Sequence, residues 1–125
     1  MAQNNNKIIS MKLDSPFYRK LADQKYQQQD YKKAAEYYEK VLEMSPQEFD
    51  VFEIKVKLSE CLAHLGYNNR AEHIFYEMIA KQESVMDSYY QLSQLNITLN
   101  EANKAFLFGM NYVILAEDDD YQEEL

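Results

Sequence analysis

SPFYRKLADQKYQQQDYKKAAEYYEKVLEMSPQE, running from Ser15 to Glu48, reads as two helices and the turn between them. Ser15 is a favoured helix N-cap, and Pro16 suits the first helical position, where a missing N–H costs nothing. Phe17, Leu21 and Lys25 to Gln28 continue a helix that stops near Gln29. Asp30 caps a second helix, in which Tyr31, Ala34, Ala35, Tyr38, Val41 and Leu42 fall at three- and four-residue spacings and form one apolar stripe. Ser45-Pro46-Gln47-Glu48 is a further start signal, with Glu48 placed to reach back to the cap amide.

The pattern of this stretch returns twice. Leu21, Ala22, Ala34, Tyr38 and Val41 recur 37 residues later as Leu58, Ser59, Ala71, Phe75 and Met78. They recur 34 residues after that as Leu92, Ser93, Ala105, Gly109 and Tyr112. A period in this range, with small or apolar residues at matched places, signals stacked repeats rather than a closed globule. A third helix, starting at Ser45 or Asp50, ends at Leu65 with Gly66 as a left-handed stop. Asn69 with Glu72, Ser84 with Asp87, and Asn100 open three more, the last running from Glu101 to Ala116. The expectation is an all-α chain of six helices in three antiparallel pairs. A leader at 1–14 precedes units at 15–48, 52–85 and 86–119, and an acidic tail at 120–125 follows.

The composition agrees with long helices, since two Gly and two Pro leave few turn residues. The 11 Tyr and 6 Phe, with no Trp, suit helix interfaces built from flat rings. One Cys gives no intrachain disulfide, and there is neither a long apolar run nor a secretory leader, so a cytoplasmic, membrane-free protein is expected. The net charge of -8 is uneven: Glu117 to Asp120, Glu123 and Glu124 carry six acids, whereas residues 1–40 have eight basic and five acidic side chains. An acidic end and a weakly basic front disfavour nucleic acid as a partner.

The units resemble the tetratricopeptide repeat, a helix–turn–helix motif of about 34 residues. Tyr18, Leu21, Ala22, Tyr31, Ala34, Tyr38, Val41 and Pro46 stand where that motif expects aromatic, large, small, aromatic, small, aromatic, small and Pro residues. The second unit keeps Leu58, Ser59, Gly66, Ala71, Phe75 and Met78, and the third keeps Tyr89, Leu92, Ser93, Ala105 and Tyr112. Glu83 and Glu117 replace the inter-unit Pro, and Gly109 replaces the second-helix aromatic. The resemblance implies an α-solenoid with a right-handed superhelix that binds a protein or peptide in a concave groove, without catalysis or cofactor.

Carried over by register, that groove would present Arg19, Lys20, Asp23, Tyr26 and Gln27, then Glu53, Val56, Lys57, Glu60 and His64, then Asp87, Tyr90, Gln91, Gln94 and Ile97. Tyr26 and Tyr90 would anchor the ligand, with Arg19, Lys57 and Glu60 selecting it. The carboxylate clamp of some relatives is not expected, because Asp23 and Asp87 would repel the anion. Cys61 and His64 share a helix face, but no second ligand pair and no orienting acid make a metal site or nucleophile of them. No glycine-rich phosphate loop occurs.

The segment from Ala105 to Ala116 contains one clearly polar residue, Asn111, and so expects burial on nearly all sides. Relatives of the repeat usually end with a solvating helix, and Leu125 leaves no room for one. Either further repeats follow Leu125, or another chain covers Phe106, Leu107, Met110, Val113 and Ile114. Self-association, an adaptor role or a chaperone role through this helix is therefore the alternative to groove binding.

Overall fold

The computed structural model describes residues 14–44 and 50–124, with side chains described as far as Asp118. Within them the fold is all-α: α1 Ser15–Gln27, α2 Tyr31–Met44, α3 Val51–His64, α4 Asn68–Ala80, α5 Val85–Thr98 and α6 Ala102–Glu124. The leader before Asp14, the Ser45–Glu48 start signal and the side chains of the acidic tail lie outside the described residues. No helix among those described is long and apolar enough to cross a membrane.

Local chemistry explains the boundaries. The cap of α1 is Asp14 rather than Ser15, because Asp14 Oδ1 accepts the Phe17 N–H at 3.1 Å while Ser15 is drawn into the helix and buried. Asp30 does cap α2, accepting the Lys33 N–H at 3.3 Å. Gly66 ends α3 with φ 86, as its lack of a Cβ allows. Three other helices stop the same way without glycine. Gln29, Gln82 and Asn100 have φ of 61, 58 and 62. Each donates its N–H to a carbonyl three residues back, and the next residue donates five back, as in Asp30 to Lys25 at 2.9 Å. This closure satisfies the last helical carbonyls.

Two starts and one end differ from the sequence reading. Helix α4 begins at Asn68, one residue before the expected Asn69, and Glu72 is a buried side chain rather than a start signal. Ser84 precedes α5 in the left-handed region and makes no side-chain cap bond. Helix α6 continues eight residues past Ala116 to Glu124, since no Gly or Pro interrupts the chain there.

The chain forms two compact units, Met1–Leu65 and Gly66–Leu125, a division that falls within the second repeat of the sequence reading. In the first, α1 packs on α2 and α2 on α3; in the second, α4 packs on α5 and α5 on α6. The core of the first unit includes Ala22, Ala34, Tyr38, Val41, Ile54, Leu58 and Cys61, and that of the second Ala71, Phe75, Met78, Leu92 and Ala105. Of the small residues at matched repeat positions, Ala22, Ser59, Ala34, Ala71 and Ala105 are buried and Ser93 is half-buried. Burial pushes the Cys61 thiol up to about 12, so it stays a protonated, packed group.

Candidate functional site

In the first unit, six of the expected groove residues meet, and they meet one another. Arg19 on α1 pairs with Asp50 at the start of α3, with Glu53 at 3.5 Å and with Asp23 one turn on at 3.9 Å. Asp23 also faces Lys57 at 3.6 Å and accepts from the Tyr38 hydroxyl at 2.5 Å. Tyr26 donates its hydroxyl proton to Glu60, and the Lys57 ammonium lies 5.4 Å over the Tyr26 ring. The bond to Glu60 first, then burial, raises the Tyr26 pKa; burial first, then the bond to Asp23, raises that of Tyr38. His64 stacks on Tyr31 at 4.1 Å and 3°, a pairing that three-residue spacing did not suggest. Lys20 is exposed. These partly solvated contacts are individually weak, but together they tie α1 to α3, and a ligand would have to displace them.

Gln27 is exposed and Val56 half-buried, and the third set of expected groove residues lies on α5. Tyr90, 43% exposed, packs its ring 5.3 Å from Tyr112 of α6; Gln91 is half-buried and Gln94 exposed. Ile97 is 60% exposed and lines a different feature, an open groove of about 370 Å³ shared with Ser93, Ala105, Phe106, Gly109, Met110 and Val113. A residue assigned to the concave face thus joins three assigned to the last helix.

That groove follows from the departures in the third repeat. Where Tyr38 and Phe75 place a ring, Gly109 places none and lies against Ser93. A Cβ on Gly109 would sit 3.3 Å from Ser93 Oγ, which donates to the Ala105 carbonyl at 2.9 Å. The floor is therefore small side chains and backbone, with large apolar ones at the rim. At about 100° per residue, α6 turns Ala105, Phe108, Gly109 and Tyr112 to one side and Phe106, Leu107, Met110, Val113 and Ile114 to another arc of about 120°. The first set meets α5: Ala105 is buried, and Phe108 rests 6.3 Å from Tyr89. All five of the second set are exposed, Phe106 at 66% and Leu107 at 61%. Glu117 falls within the same arc, one turn beyond Val113, and is exposed.

One polar cluster escaped the sequence reading. Glu72 is buried and receives Lys104 Nζ at 2.9 Å, the Tyr76 hydroxyl at 2.8 Å and Asn96 Nδ2 at 3.4 Å. Burial alone would raise the Glu72 pKa, but the bonds from Lys104, Tyr76 and Asn96 outweigh it and hold the carboxyl below its ordinary value. Tyr76 is pushed up to about 12 by burial and by Glu72. The available signal was Glu72 at the repeat position of Ala35, a charge where a small buried residue is due. The cluster pins α4 to α5 and α6. Among the described residues no three His, Cys, Asp or Glu could hold a metal ion.

No family model, curated protein or solved structure matches this chain.

Proposed function

We propose that this chain is a non-catalytic protein-interaction module of tetratricopeptide type, and that its docking surface is the apolar groove of α5 and α6. The supporting observation is the row of Phe106, Met110 and Val113, exposed beside Ile97 over a floor of Ser93, Ala105 and Gly109. Exposed apolar rows on a rigid helix pair are sites for partners, because covering them recovers the burial they forgo. The charged face of the first unit is a weaker candidate, since Arg19, Asp23, Tyr26, Lys57 and Glu60 already satisfy one another.

The alternative is an assembly role, with two copies pairing through α6. A photo-crosslinking residue at Met110, at Lys57 and at exposed Lys32, in cells making the protein, separates the readings. Discrete hetero-adducts from Met110 alone are expected. Adducts of twice the chain mass would favour assembly, and adducts from Lys57 alone would return the interface to the concave face.

A further inference from the structure

Resting on the docking surface just described, the geometry points to its occupant: a partner protein's amphipathic helix that lies antiparallel to α6 with Lys or Arg in its first turn. The repeat register says that a helix belongs there. Phe106 is the repeat mate of Ala35 and Glu72, each reached by the same steps of 37 and 34 residues. Both mates are buried, in helices packed against the next one along the chain, α2 on α3 and α4 on α5. Asn96 of α5 touches Glu72 directly. Phe106 is the third residue at this repeat position, and the structure leaves it open.

The direction follows from the same comparison. Helices α4 and α5 are joined by only four residues, so the covering helix starts beside the C-terminal end of the helix it covers. On α6, Glu117 stands in line with the apolar row about two turns before that end, with Asp118 beside it, both exposed. No basic residue lies in the last turn of α6. A covering helix would therefore bring its own positive pole and first-turn side chains to an acidic end, and basic residues there are complementary. A second copy fits less well. Pairing antiparallel sets Glu117 near Glu101 and a Lys104 already held by Glu72, and pairing parallel sets acid on acid.

Ala-based helical peptides with Leu at three positions spaced four and three apart provide the probe. They carry Lys-Lys in the first turn, Glu-Glu in the first turn, or Lys-Lys in the last turn. Binding to the 125-residue chain is read by fluorescence anisotropy, and sedimentation gives its oligomeric state. First-turn Lys-Lys should bind roughly tenfold tighter than first-turn Glu-Glu, with the gap closing at about 0.5 M salt. Glu117→Lys should reverse the order, and Met110→Asp should abolish all binding with the helical circular dichroism unchanged. Equal binding of the three peptides, lost in Met110→Asp, would overturn the basic-helix assignment while leaving the docking surface standing. A preference for last-turn Lys-Lys would overturn the antiparallel direction and the proposal with it. No peptide binding, with a dimer dissolved by Met110→Asp, would replace the partner with a second copy. No peptide binding by a monomer would overturn both the helix and the surface.

Discussion

Gln29 and Gln82 hold a backbone conformation that carries a penalty for any side chain with a Cβ, on the order of 1–2 kcal/mol. They hold it because two hydrogen bonds close each helix end around them. Gln29→Gly and Gln82→Gly should each stabilise the fold by about 0.5–1 kcal/mol, the relief of strain exceeding the added freedom of the unfolded chain. Gln24→Gly, in the exposed interior of α1, should cost about 1 kcal/mol. Chemical denaturation of the three variants checks the contrast. Glu72 supplies a second residue-scale test. Its folded pKa lies below the unfolded value, so its contribution is full above that value and fades as pH falls through the folded one. Glu72→Gln should melt lower than the parent at pH 7, by the equivalent of about 1–3 kcal/mol. The difference should narrow as pH falls below 4.5. A difference that stayed constant with pH would mean that shape, not charge, holds this cluster.

At the scale of the element, α6 has two apolar faces, one packed on α5 and touched by Tyr76 of α4, the other open. The face toward α5 is made of small residues and rings, and its closeness depends on Gly109. Gly109→Ala should gain about 1 kcal/mol of helix propensity. In the parent it must also move Ser93 Oγ, 3.3 Å from the new Cβ, and strain its bond to Ala105. The gain should therefore be near zero in the parent and approach its full value in a Ser93→Ala background. A double-mutant cycle on melting data reads that coupling, about 0.5–1 kcal/mol; additive effects would place Gly109 away from Ser93. The other face leaves five large side chains in water, each forgoing roughly 1.5–3 kcal/mol of possible burial. Its Leu107 and Ile114 are repeat mates of the exposed His73 and Ala80, whereas Phe106 is a mate of the buried Glu72. Phe106, Met110 and Val113 also line the groove with Ile97, which Leu107 and Ile114 do not.

At the scale of the whole molecule, net charge of one sign opposes association between copies. The net charge of -8 disappears near pH 4.7, where the exposed row on α6 is no longer opposed by repulsion. Light scattering should rise near that pH. It should rise less in Phe106→Gln/Met110→Gln, which leaves the charge unchanged and removes two large apolar side chains. Equal scattering from both proteins would show that the row takes no part in association.

Much of this was legible in the residues. The spacing of Tyr31, Ala34, Tyr38 and Val41 specifies a helix and its buried face, because 3.6 residues per turn is a property of the backbone. The cap at Asp30 and the stop at Gly66 are local for the same reason, and the apolar excess of Ala105 to Ala116 needed no fold to be noticed. The repeat mates Ala22, Ser59, Ala34, Ala71 and Ala105 are buried as their register required, while Ser93 is half-buried. What the tertiary structure alone decided depends on which side chains meet across helices. It turned Arg19, Asp23, Tyr26, Lys57 and Glu60 toward one another, set Glu72 among Asn96, Tyr76 and Lys104, and drew Ile97 into a groove with Met110 and Val113. Those contacts turn on ångström-scale approach, as at Gly109 and Ser93, and periodicity along a chain contains no distance between helices.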